Sequence, residues 1–347
     1  MLLKKYILTS DKKEHITQRF MTTQEISAIK KELPIDFAPG GQAVLEGVLM
    51  RSPNYIAVAV RNPQGKIVFE KKAYKSWGKY FKVLALPLVR GMVGICEMMI
   101  IGFKALNFSS EVFMQDEEST QDTPTEKTAA DGIFFAISLI FAFSISIFLF
   151  KFVPLWITTQ LQNIFPVIKS NYLIFNLIDG ILKLSIFVGY LSLMLLSKEM
   201  KRVFEYHGAE HKAVWTYEKN LDLTVENAKI QTRLHPRCGT SFIIIVFIIS
   251  IFSYMFLPKQ DTFAANFFLR IAMLPLIGGV AYEVLKWSAR HIDNAFVRIL
   301  VAPGLLLQRI TTQEPDDTQL EVALAALQAT VELEQNGLDT VTVPEEA

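Results

Sequence analysis

Apolar residues in this chain gather into four long blocks. Gly132–Phe150 carries no charge and continues past Lys151 to about Ile157. Tyr172–Ser197 is interrupted only by Asp179 and Lys183, Gly239–Leu257 by no charge at all, and Phe263–Trp287 by Arg270, Glu283 and Lys286. A helix needs about 20 mostly apolar residues to cross the hydrocarbon of a bilayer. Lipid offers backbone N–H and C=O groups no partner, so such blocks must satisfy themselves as helices. The pattern predicts a mainly α membrane protein with four transmembrane helices, a small cytoplasmic β element and cytoplasmic helices.

Outside the blocks the pattern changes. Residues 22–33 read as a short helix, with Thr22 and Glu25 spaced as a capping box. Residues 1–37 hold several lysines but no apolar run that would form the core of a signal peptide. Ile56–Arg61 and Lys66–Lys71 read as strands joined by the turn Asn62-Pro63-Gln64-Gly65, and Gly40-Gly41 opens another before Gln42–Leu45. Val83–Leu106 carries Arg90, Glu97 and Lys104 at a spacing of seven, one helical face. That face suits an interfacial helix with a polar stripe toward water; the alternative turns Arg90 and Glu97 inward onto a polar site. Residues 38–110 thus form a β element plus interfacial helix. Residues 111–131 read as an acidic linker. Residues 132–310 form the membrane domain, and 311–347 an acidic tail. In the tail Thr318 and Glu321 fit a capping box, Leu320, Leu324, Leu327 and Val331 form an apolar stripe, and Gly337 suits the helix end.

Charge fixes the expected orientation. Lys+Arg is 35 against Asp+Glu 34, a balance that argues against nucleic acid as a partner. The stretch 198–238 carries eight Lys/Arg, whereas 158–171 and 258–262 carry one each. Basic residues stay on the cytoplasmic side. The expectation is a multipass protein of the bacterial inner membrane with both termini and the 198–238 loop cytoplasmic. Within the bilayer an unpaired charge is costly. Asp179 and Arg270 lie at the same depth in their blocks, so Asp179 is expected to face Arg270, with Lys183 as the competing partner.

The chemistry concentrates in His207-x-x-Glu210-His211. Histidines at i and i+4 share a helical face and can chelate one metal, and an adjacent carboxylate can take a proton from a water activated by it. His235-Pro236-Arg237-Cys238 precedes the third block, and Glu283 and His291 end the fourth, so these groups share one membrane face. A lone histidine there would be an interfacial polar residue; the joint arrangement points to metal. His207, His211, His235 and Cys238 would close a structural zinc site, whereas His207, His211 and one further ligand, from His235, Cys238 or Glu283, would leave a catalytic one open. Imidazole with thiolate suits zinc.

At these residues the chain resembles the YqhQ-like family of bacterial multipass membrane proteins. The matching stretches are Gly40–Arg51, Arg90-Gly91, Tyr206–Lys212, His235–Thr240 and Glu314–Asp317. The resemblance covers roughly residues 38–330. It implies a membrane location and a metal-dependent site but supplies no reaction. Two functions remain open on the residues. One is a metal-dependent hydrolase with Glu210 as general base, acting on a membrane-associated substrate. The other is a membrane scaffold or transport component, with a protein partner and a structural metal.

Overall fold

A computed structural model describes residues 21–32, 39–114, 129–257, 260–292 and 294–337. Helices dominate, and the described strands form one small sheet. Helix α1 (Thr23–Glu32) starts on the expected capping box: the Thr22 N–H donates to Glu25 Oε2 at 2.8 Å and the Glu25 N–H to Thr22 Oγ1 at 3.4 Å.

Strands β1 (Gly40–Val44), β2 (Gly47–Arg51), β3 (Tyr55–Arg61) and β4 (Ile67–Ala73) form an antiparallel meander in that order. The turn at 62–65 forms as its residues predict, with Gly65 at φ 83° and its N–H on Asn62 O at 2.9 Å. Strand β2 was not expected from the sequence, because Val48, Leu49 and Met50 are all buried and show no alternation. The reason is coverage on both faces. Leu49, Val58 and Val60 pack on Ala105, Phe108 and Val112 of α2 (Val89–Met114). Val48, Met50 and Ala59 face α7 (Lys198–Glu218) and the C-terminal helix.

The helix expected over 83–106 begins at Val89, because Pro87 and Leu88 (φ 70°) break the run. Two short 3-10 turns, Trp77–Lys79 and Lys82–Ala85, precede it. Its polar stripe turns inward at two positions: Arg90 pairs with Glu283, and Glu97, 5% exposed, accepts from the Tyr74 and Ser76 hydroxyls and the Trp77 N–H. The same helix runs to Met114, so 111–114 are not linker; neither are 129–131, which open α3 (Ala129–Ile147). Residues 115–128 lie outside the described residues.

From α3 the chain passes through a π turn, Phe148–Phe152, into α4 (Val153–Ile164). Then come α5 (Pro166–Ser170), α6 (Tyr172–Met194), α7, α8 (Val225–Lys229), α9 (Gly239–Met255), α10 (Phe263–Ala272), α11 (Leu274–Arg290) and α12 (Ala295–Thr311). Two stretches, Ile137–Ile164 and Tyr172–Met194, are long and apolar enough to cross a membrane. The α10–α11 pair makes a third if counted as one span, since it bends by 41°. The bend follows from Pro275, which has no N–H to give and crowds the preceding turn. Helix α9 has 17 residues, short of the other two.

The ion pair expected from depth is present. Arg270 Nη1 and Lys183 Nζ both donate to Asp179 Oδ2. Arg270 Nη2 donates to Asn176 Oδ1, and the Tyr254 ring lies 4.7 Å from the guanidinium and 5.0 Å from the ammonium.

Helix α13 (Asp317–Asn336) is the core of the part built with α7 and the sheet. Its stripe residues Leu320, Leu324, Leu327 and Val331 are fully buried, and so are Val322, Ala323 and Ala326. Its capping box is Asp316 with Gln319, not Thr318 with Glu321. Thr318 instead donates its hydroxyl to Asp316 Oδ1 at 2.6 Å, and a carboxylate two residues earlier suits the positive helix end. Gly337 (φ 75°) closes the helix as expected.

Candidate metal centre

Helix α7 presents His207 and His211 on one face, as the spacing predicts. Cys238 is the N-cap of α9, its sulfur accepting the Thr240 N–H at 3.4 Å. One ligand atom each from His207, His211 and Cys238 fall within 4.8 Å of one another. His207 Nε2 is 3.2 Å from Cys238 Sγ.

The tautomers follow from the partners. His207 Nδ1 lies 2.7 Å from the Thr311 carbonyl and His211 Nδ1 2.6 Å from the Arg233 carbonyl. A carbonyl only accepts, so both Nδ1 atoms carry the proton, and the neutral tautomer so fixed keeps its lone pair on Nε2. His211 Nε2 is buried without a hydrogen-bond partner. Donation of the second ring N–H to a backbone carbonyl is how metal-ligating imidazoles are oriented. The residues present therefore fit a metal ion.

Glu210 sits beside this set. Its Oε1 accepts the Gly41 N–H at 2.9 Å, and its Oε2 is 4.0 Å from His207 Nε2. A side chain at Gly41 would collide with the Leu49 carbonyl at 2.1 Å and press on Glu210 Cγ at 3.3 Å. Glycine is what lets this strand reach the carboxylate.

The other predicted ligands stand apart. His235 packs its ring on His211 and Trp215, with centroids 5.7 and 4.7 Å apart. Its Nδ1 accepts the Arg237 N–H at 3.3 Å, which places the proton on Nε2. That atom lies 3.3 Å from Glu218 Oε1 but off the line of a hydrogen bond. Burial pushes the imidazolium down to about 4, against the pull of Glu210, so the ring is neutral and has no lone pair free for the set. Glu283 is held by Arg90, whose Nε reaches Oε1 at 2.7 Å and whose Nη2 reaches Oε2. His291 stacks on Trp287 with centroids 5.1 Å apart.

Helix α12 positions the centre, and the sequence reading singled out none of its residues. Gln308 is fully buried. It brackets the His235 backbone, accepting its N–H at 2.8 Å and donating to its carbonyl at 2.9 Å. Three residues on, Thr311 holds His207. The chain after α12 then crosses α7 so tightly that a Cβ at Gly208 would stand 2.1 Å from the Gln313 carbonyl. The visible signal was the glycine inside His207-Gly208-Ala209-Glu210-His211, where a helix interior disfavours it.

The protein-family model described as "Protein of unknown function (DUF1385)" matches residues 86–333. The "Uncharacterized protein YqhQ" of Bacillus subtilis (strain 168) is 36% identical over 301 residues, which cover 86% of this chain and 93% of the relative. No solved structure matches the chain.

Proposed function

The chain belongs to the DUF1385 family of proteins of unknown function, and from that premise we propose a zinc-dependent hydrolase of the bacterial inner membrane acting on a membrane-associated substrate. In this reading α9 and the bent α10–α11 pair join the two longer helices as spans. At 1.5 Å per residue α9 covers about 26 Å, close to the hydrocarbon thickness. The Lys/Arg asymmetry puts both termini and 198–238 in the cytoplasm, and the centre at that face.

The observation that carries the chemistry is the pair of Nε2 lone pairs, each fixed by a carbonyl on Nδ1, converging with Cys238 Sγ. Three protein ligands with no fourth in the set among the described residues are the pattern of an open, catalytic zinc site. Zinc held there would supply an activated water and polarise a scissile carbonyl. Glu210 would take the proton: Gly41 holds Oε1, which leaves Oε2 as the oxygen nearer the ligands. Metal content of the purified protein tests the centre. Wild type is expected to carry about one zinc per chain and His207→Ala essentially none; equal, negligible zinc in both refutes it.

Burial favours a second reading, a metal that only staples α7 to α9 in a scaffold or transport component. His211 is 2% and Cys238 9% exposed. Glu210→Gln separates the two. A hydrolase keeps its zinc and loses function in cells, whereas a scaffold keeps both.

A further inference from the structure

Residues 71–96 contain six Lys/Arg and no Asp or Glu. Within them lies an exposed apolar stretch outside the candidate spans. Trp77, Tyr80, Phe81, Val83, Leu86, Leu88 and Val89 are 38–67% exposed. A contiguous exposed apolar surface of this kind marks an interaction site.

The stretch is held in shape from below. Buried Glu97 accepts the Trp77 N–H together with the Tyr74 and Ser76 hydroxyls, while Ser76 caps the first 3-10 turn. Lys79 Nζ donates to Asn54 Oδ1 at 2.9 Å, and Lys75 Nζ stands 4.4 Å over the Tyr80 ring. The aromatic side chains therefore project from a fixed base.

Its position relative to α11 sets a depth. Leu88 packs so closely on Gly279 that a Cβ there would meet the Leu88 carbonyl at 2.7 Å. Gly91 is as close to the Tyr282 ring. Gly279 lies eleven residues before the end of α11 at Arg290, about 16 Å along the axis. If α11 belongs to a span, Leu88 sits below the headgroups.

We propose that residues 77–89 are a monotopic foot that inserts into the inner leaflet and recruits anionic lipid headgroups, so that the β element and metal centre ride on the membrane surface. The proposal rests on the membrane reading above. Aromatic residues at the interface and apolar residues below it match the layering of a leaflet. Lysines beside them favour anionic over zwitterionic headgroups, and long lysine stems let the ammonium reach that layer.

Photo-crosslinking tests the foot in the full chain. The protein is reconstituted into nanodiscs of equimolar phosphatidylcholine and phosphatidylglycerol, with a benzoylphenylalanine replacing Phe81. Phe141, exposed on the first candidate span, serves as the control position. Illumination is expected to give lipid adducts at both positions. At position 81 phosphatidylglycerol adducts should exceed phosphatidylcholine adducts by about thirtyfold, the combined weight of two lysines' attraction to an anionic surface. Lys75→Gln with Lys82→Gln should bring that ratio to parity. Adducts at 141 but none at 81 overturn the foot and leave the membrane reading standing; adducts at neither overturn both. Adducts of 81 with protein, a second copy included, assign the patch to another partner and overturn the proposal. A ratio indifferent to the lysines overturns the headgroup selection.

Discussion

Replacing Asp179 by Asn is expected to be the most damaging single change among the buried charges of α6 and α10. One carboxylate oxygen, Oδ2, is shared by Arg270 and Lys183. The three side chains are 1–4% exposed. Asn keeps the shape but removes the charge, leaving two buried cations faced by Asn176 and the Tyr254 and Phe175 rings, with Lys151 as a third cation at Tyr254. Breaking a buried pair by removing one partner costs about 3–5 kcal/mol. Arg270→Gln is milder, because Asp179 still has Lys183 one turn away; losing charged hydrogen bonds costs about 1.5–3 kcal/mol. The difference, roughly 2 kcal/mol, is more than tenfold in the unfolding equilibrium. Adding Lys183→Met to Asp179→Asn should recover much of the loss, since Arg270 then remains with Asn176 and Tyr254. Reversible unfolding in mixed micelles containing a denaturing detergent, followed by helical circular dichroism, measures all four proteins. The reasoning fails if Asp179→Asn is no worse than Arg270→Gln, or if the double variant is as unstable as Asp179→Asn alone.

Three further outcomes follow from the geometry. Gly208→Ala should force the Gln313 carbonyl off α7 and disturb the Thr311 carbonyl behind His207, weakening zinc about 10–100-fold in a chelator competition; Gly239→Ala, with nothing within 4 Å of its Cβ, should bind as wild type, and equal affinities for both variants would contradict this. His235, with its imidazolium held down to about 4 by burial, binds fewer protons folded than unfolded. Its stabilising contribution is therefore present above the ordinary histidine value and lost as pH falls from about 6.5 to about 4, roughly 3 kcal/mol in all. Metal-free wild type should lose thermal stability between neutral pH and about pH 5 more steeply than His235→Gln, and parallel slopes would remove the argument. Asn220→Cys should resist an impermeant thiol reagent added to intact cells while Gln260→Cys reacts; the reverse pattern would invert the topology.

Much of this fold was legible because period and length report burial directly. The blocks around Ile137–Ile164 and Tyr172–Met194 could only be helices. The stripe of α13 announced a packed face, and the turn at 62–65 carried its own chemistry. What was lost was lost to context. Strand β2 is buried on both faces, so its residues carry no period-2 signal. The break before α11 was written in Pro275, but an apolar run on either side hid it. Helix α12 mixes apolar residues with Arg298, Gln308 and Arg309, and its role is set by what it touches.

The pairing of His207 with His211 was legible for a narrower reason. Helical periodicity converts His207-x-x-x-His211 into a geometric statement, because i and i+4 must share a face. Cys238, named from its place before the third block, meets them through tertiary structure, and His235 and Glu283 are engaged elsewhere for reasons no spacing encodes. Glu283 was captured by Arg90, which lies 193 residues earlier in the chain. His235 spent its lone pair on the Arg237 N–H two residues away. A sequence thus shows which groups are able to bind a metal, while the hydrogen bonds on their remaining atoms decide which are free to do so. The same test extends to any further ligand. On the hydrolase reading, the Gly41 N–H on Oε1 would keep Glu210 a base rather than a ligand. A substitution at Gly41 that moved the strand away would release the carboxylate toward the ion and close the open position.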